Sequence, residues 1–158
     1  MNKIKIRNLS LVGLFLLVGA CANVPLGDRF TTLDTRRDDK ALVYIYRPYV
    51  RPSAAYGVIV NVDGIEKAIL PVGAYTRFYL EPGTHNFIFS WPAISMQGPM
   101  DGALKFEAGQ TYFVRYSVST ANMRLWEFLA KPVTAETAIP ELQQCSYSRP
   151  LDEDTKIK

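Results

Sequence analysis

The chain has 158 residues, 48% of them hydrophobic, and its 18 Lys and Arg against 15 Asp and Glu give a formal charge of +3. Lys3, Lys5 and Arg7 lie in a segment expected to be removed, and without them 18 − 3 = 15 cations face 15 anions. A mature chain without net charge lacks the basic footprint that phosphate backbones require, which excludes nucleic acid as the first partner to consider, and its length allows one domain rather than two.

The first 21 residues, MNKIKIRNLSLVGLFLLVGAC, open with a basic stretch and continue through a nearly pure apolar run from Leu9 to Val18. That order predicts a secretory signal peptide over residues 1–20, because the run falls short of the roughly 20 apolar residues needed to span about 30 Å of hydrocarbon. Its end, Val18-Gly19-Ala20-Cys21, resembles the lipobox of bacterial lipoproteins: an aliphatic residue, two small ones and a cysteine. The resemblance implies cleavage before Cys21, which then carries a thioether-linked diacylglycerol and becomes the acylated first residue. At about 0.8 kcal/mol per buried CH₂, one chain binds a membrane marginally and two or more anchor stably. Residue 22 is Ala rather than Asp, which in Gram-negative lipoproteins of this kind implies the outer membrane, with the domain facing the periplasm or the cell surface.

From Cys21 to Lys40 the composition turns polar and charged, ending in Arg36-Arg37-Asp38-Asp39-Lys40, and this stretch is expected to be a tether that lifts the domain off the lipid. Ala41 to Tyr46 is the first strong strand, with β-branched and aromatic residues and no helical period. Tyr56 to Asp63 and Ile65 to Leu70 form a second and third, predicted to pair across an Asp63-Gly64 type I′ turn. Tyr75 to Leu80 alternates so that Tyr75, Arg77 and Tyr79 share one side and Phe78 and Leu80 the other. Glu81-Pro82-Gly83-Thr84 reads as a type II turn before a strand from Asn86 to Trp91.

Pro92 to Gly102 has no period and is expected to be a loop. Leu104 to Glu107 and Thr111 to Val118 are predicted to form a hairpin around Ala108-Gly109-Gln110, and Met123 to Ala130 an eighth strand ended by Lys131-Pro132. Thr134 to Cys145 changes period, with Thr134 as a helix cap, Ala138, Ile139, Leu142 and Cys145 on one stripe, and Pro140 shortening or kinking the helix. Once Cys21 is lipidated Cys145 is the remaining thiol; its place on that stripe favours burial over an intermolecular bridge. Residues 146–158 are expected to be a frayed tail.

Val60-Asn-Val-Asp-Gly64, Pro71-Val-Gly73 and Leu80-Glu-Pro-Gly-Thr-His85 together resemble the PEGA-type surface module. With Ala41–Pro48 before them and Ala108–Arg115 after, residues of about 40–145 are similar to a family of bacterial lipoproteins known only as a domain of unknown function. That resemblance implies an antiparallel all-β sandwich, prealbumin-like or immunoglobulin-like, over 41–145, with the short helix at its C-terminal end. It carries over no catalytic residue, because the family's function is itself unassigned.

The residues themselves show no assembled chemistry. His85 is the single histidine; it forms no zinc ligand set with Cys145, and no nucleophile elbow accompanies it, so it is expected to start a strand with its ring at the sheet margin. Asp63 is expected to bond its own turn backbone. No metal and no cofactor is therefore expected, and no enzyme activity. Two groups could form binding surfaces. Trp91, Met96 and Met100 offer the adaptable apolar side chains that protein interfaces favour, or simply cover an open end of the sandwich. Tyr46, Arg47, Tyr49, Arg51 and Tyr56 could stack on a sugar or pair with a carboxylate, or be half-buried cover. The leading expectation is a non-enzymatic, membrane-anchored module that binds another envelope protein; the alternatives are a module for peptidoglycan or surface polysaccharide, and an envelope hydrolase using His85.

Overall fold

Ala41–Arg47 is buried along its whole length, because its two alternating sets of side chains, Val43 and Ile45 on one face and Leu42, Tyr44 and Tyr46 on the other, each meet a separate apolar cluster. The computed structural model describes residues 25–49, 57–91, 99–119 and 127–151. In chain order these form β1 (Leu26–Arg29), β2 (Ala41–Arg47), β3 (Val58–Val62), β4 (Ile65–Leu70), β5 (Ala74–Leu80), β6 (Gly83–Ser90), β7 (Met100–Phe106), β8 (Thr111–Ser119), β9 (Glu127–Val133), α1 (Ala135–Leu142) and β10 (Ser146–Ser148). The strands make a six-stranded sheet in the order β1-β10-β5-β2-β8-β9 and a four-stranded sheet in the order β4-β3-β6-β7. The fold is the all-β sandwich with a short C-terminal helix that the sequence suggests.

The inner layer between the sheets is apolar and aromatic, with Val43, Ile45, Val60, Phe87, Phe89 and Tyr116 fully or nearly fully buried. The outer face of the larger sheet is covered by α1 and by the chain before β2, over Tyr44, Tyr46, Tyr75 and Phe113. The alternation predicted for β5 holds, with Phe78 and Leu80 inward and Tyr75 and Tyr79 outward, and β8 alternates likewise, with Val114 and Tyr116 inward and Phe113 outward. Asp63 (φ 52) and Gly64 (φ 82) both take the left-handed backbone of a type I′ turn, and β3 pairs β4 across it. Gly83 has φ 145, away from the roughly +80° of a type II turn, and already belongs to β6.

Several expectations are corrected. The sheets are not wholly antiparallel: β2 pairs β8 in parallel, and β10 pairs β5 in parallel. Residues 104–107 and 111–118 do not form a hairpin, since β7 pairs β6 in one sheet while β8 lies between β2 and β9 in the other. The turn at Gly109 (φ 72) carries the chain from sheet to sheet and is held by Gly109 N donating to Lys40 O at 3.0 Å. Met100, read as loop, starts β7 opposite Phe89. β9 continues through Lys131 and Pro132 to Val133, which the missing proline donor allows on an edge strand.

The largest corrections concern the termini. The predicted tether is structured from Leu26: β1 pairs β10, and Phe30 is buried edge-to-face against Tyr44 and Tyr75 at 6.0 and 5.6 Å. Residues beyond it are stapled down the outer face by Asp34 N donating to Tyr44 Oη at 2.8 Å, Tyr79 Oη donating to Thr35 O at 2.6 Å, and an Arg77–Asp34 ion pair. The start of the predicted tail, Ser146–Ser148, is β10.

β2 and β8 run in parallel and therefore end on the same side. β5 runs against β2, and β6 turns back from the end of β5, so Tyr49, Trp91 and Ser119 all leave one end of the sandwich. The Asp63-Gly64 turn and the β5–β6 turn lie at the other.

Candidate functional site

The two long edges of the sandwich are built differently. On one, the end of the chain ties the sheets together: Ser148 Oγ donates to Ile69 O at 2.6 Å, and Leu151 N donates to Lys67 O at 2.7 Å. β10 thus hydrogen-bonds β1 and β5 in its own sheet while its side chain holds β4 of the other. Arg47 adds to this from inside, with Nη1 donating to Leu70 O at 3.2 Å.

On the opposite edge, β7 and β9 end their sheets without such a tie among the described residues. A slot of about 60 Å³ opens there, lined by Phe87, Phe89, Met100, Asp101, Gly102, Leu104, Val114 and Ala130. A side chain added at Gly102 would meet nothing within 4 Å, so the glycine leaves open the rim that a larger residue would fill. The slot is lined chiefly by apolar side chains, and each flanking edge strand offers backbone donors and acceptors to an added strand. Chemically this can hold an aliphatic or aromatic side chain presented from an extended segment.

The best-formed polar cluster lies elsewhere, beneath α1. Glu141 accepts from Tyr46 Oη at 2.6 Å and from Arg115 Nε at 2.8 and 3.1 Å. Burial alone would raise the Glu141 pKa, but the bonds from Arg115 and Tyr46 outweigh it and hold the carboxyl below its ordinary range. Burial, followed by the bond to Glu141, pushes Tyr46 up, so the phenol stays protonated and donating. Cys145, fully buried, has its Sγ 3.4 Å from Glu141 O, and its thiol is pushed up to about 12 by burial and then by Glu141. A thiol so far from ionisation is a packing group rather than a nucleophile. The cluster fixes α1 to the sheet; Thr134 stands at the N-cap, but its side chain makes no cap bond.

His85, on β6, faces two acceptors: Nδ1 lies 2.5 Å from Asp63 Oδ2 and Nε2 lies 2.8 Å from Glu81 O. Only the imidazolium donates from both nitrogens, so this geometry belongs to the charged ring. Burial disfavours that charge, but the bonds to Asp63 and Glu81 prevail and raise the His85 pKa. The bond from His85, and then the one from Asn86 N, hold Asp63 below the ordinary carboxylate value. Asp63 therefore serves His85 and Asn86 across 22 and 23 residues, instead of only its own turn. The result is a stitch between two turns.

The sequence-predicted sites separate. Tyr46 and Arg47 are not a surface pair: they are 0% and 2% exposed and point to opposite faces of β2, Tyr46 under α1 and Arg47 over the Tyr116 ring at 5.7 Å. Strand alternation forces this, since β2 is covered on both sides. Tyr49 is 63% exposed, while Arg51 and Tyr56 lie outside the described residues. Trp91 and Met100 pack against the inner core, Trp91 with its ring 6.0 Å from that of Tyr116; Met96 lies outside the described residues, as does Cys21. No group of three His, Cys, Asp or Glu side chains is placed to hold a metal ion among the described residues. Sequence reasoning missed Arg115 and Glu141, although an acid beside Leu142 and four residues before Cys145 on a buried helix face was a usable signal.

Compared with known proteins, residues 37–126 match the model of a family described as "Protein of unknown function (DUF2846)". Among curated proteins no match is found.

Proposed function

This chain belongs to that family, and from this premise we propose that it is a lipid-anchored envelope lipoprotein whose sandwich docks a partner protein without catalysis. The observation that carries the reading is Val18-Gly19-Ala20-Cys21 at the end of a basic-then-apolar leader, a peptidase and acylation signal whose product is membrane-bound. Delivery to the outer membrane follows from Ala22, and the resemblance of residues 60–85 to the PEGA-type turn block is in keeping with a surface module. Docking is supported by the slot between β7 and β9, apolar inside and edged by strands that can accept another. The glycan alternative loses two of its five side chains to the interior, and a hydrolase would need a His85 whose ring nitrogens already hold Asp63 and Glu81.

Mass spectrometry of the native N-terminal peptide should show an acyl-bearing Cys21; any other first residue overturns the anchoring. A photo-crosslinking residue at Gly102, on the open rim of the slot, should trap one defined protein band in intact cells. Diffuse labelling, or co-sedimentation with purified sacculi in its place, overturns protein docking.

A further inference from the structure

We propose that the β1–β10 edge of the six-stranded sheet lies directly against the phospholipid headgroups, so that the slot on the β7–β9 edge points away from the membrane. This rests on the lipoprotein reading above and deepens it. Leu26, the first residue of β1, follows Cys21 by five positions. Five fully extended steps reach at most about 18 Å. The headgroup layer of one leaflet takes about 5–7 Å of that. Leu26 therefore stands no more than about a dozen Å above the headgroups, close to the Debye length of about 8 Å at physiological salt.

β1 cannot peel away cheaply to lengthen the tether. Leu26 and Arg29 pair with Ser148 and Ser146, Phe30 N donates to Cys145 O at 3.0 Å, and the Phe30 ring is 5% exposed. Releasing this stretch would uncover Tyr44 and Tyr75 on the outer face of the sheet. The sheet order then sets the orientation, since β9 lies five strand spacings from β1, about 24 Å. The edge brought to the lipid exposes Leu26 together with Asp28, Arg29 and Arg149, an apolar side chain and two guanidinium groups that can meet lipid phosphates.

The test uses the full lipidated protein in vesicles of phosphatidylethanolamine and phosphatidylglycerol carrying a nitroxide on the headgroup. A fluorophore is placed on Arg149→Cys, beside β10, or on Lys131→Cys, on β9; both positions are exposed, and Cys145 is buried out of reach of the label. Lys131 aligns with Arg115, Tyr46, Tyr75 and Tyr147 in one row across the sheet, so the two labels differ mainly in distance from β1. The Arg149 label should be quenched several-fold more than the Lys131 label. A ten-residue Gly/Ser insertion after Ala22, which adds roughly 16–19 Å of mean reach, should erase the difference. Equal quenching on protein whose Cys21 is acylated by mass spectrometry overturns the orientation and leaves the anchor standing. An unacylated chain overturns both, and a difference that survives the insertion overturns the short tether as its cause.

Discussion

The two long edges of the sandwich carry the same kind of side chains inside and opposite arrangements outside. At the β10–β4 edge the C-terminal segment crosses from one sheet to the other, and a serine hydroxyl and a backbone amide of the last described residue close the gap. At the β7–β9 edge each sheet ends on its own strand, and the described residues leave about 60 Å³ between them. The difference teaches that segments as short as four and three residues, β1 and β10, decide where this sandwich is sealed and thereby where it can receive something else.

Removing the seal should have the largest effect. A fragment of residues 41–145, the limits the sequence suggests for the domain, lacks β1, Phe30, Asp34 and β10, and exposes Tyr44 and Tyr75. Burying an aromatic side chain is worth about 1.5–3 kcal/mol, and total stabilities of such domains are only about 5–15 kcal/mol. The 25–151 fragment should melt cooperatively by circular dichroism and the 41–145 fragment should not; cooperative melting of both would break the contrast.

Equal truncations at the two edges sharpen it. Leu70, fully buried on β4 at the sealed edge, should cost about 3–5 kcal/mol when changed to alanine, because its surroundings cannot collapse. Leu104, half-buried beside the slot, should cost about 1–2 kcal/mol, since water already reaches its side. Chemical denaturation measures both, and equal losses would mean the open edge is packed as firmly as the closed one. Below these comes Ser148→Ala, which removes the donor to Ile69 O and should cost about 1 kcal/mol.

Much of the interior was legible from period alone. The alternation in β5 and β8, the Asp63-Gly64 turn and the buried stripe ending at Cys145 all follow from side-chain direction and local backbone preference. What was not legible depends on partners distant in sequence. β1 and β10 are too short to show a period, and become strands only because each completes the other. Leu104–Glu107 and Thr111–Val118 look like a hairpin because they are neighbours in sequence, yet β8 finds its parallel partner about seventy residues earlier. Tyr46 and Arg47 read as a sugar-binding surface because a strand covered on both faces and a strand with an aromatic-basic exposed end have the same composition. The acid that His85 needs comes from a turn 22 residues away.

That His85 stitch should give the smallest effect, and it is the one whose sign is set by pH. The ring holds the β3–β4 turn through Asp63 and the β5–β6 turn through Glu81 O, with the Phe106 ring of β7 centred 5.9 Å away. The Glu81 carboxylate is itself held by Lys40 at 2.5 Å, and Lys67 also acts on Asp63. His85 titrates above its ordinary value of 6.5 in the folded chain, so its contribution is complete below about pH 6.5 and fades as pH rises through the higher folded value. Asp63 titrates below its ordinary 3.8, so its share is present above that and is lost as pH falls through the lower folded value. Between the two limits both charges exist, and the stitch is whole. Asp63 is nearly half exposed, which keeps the gain to no more than about 1 kcal/mol. His85→Gln should therefore lower the melting temperature by a degree or more near about pH 5 and by markedly less near about pH 8.5, since a domain of this size shifts roughly 2–8 °C per kcal/mol. A loss independent of pH would show that the ring packs against Phe106 and does nothing more, leaving the two turns held by their backbone and by the bond from Asn86 N to Asp63.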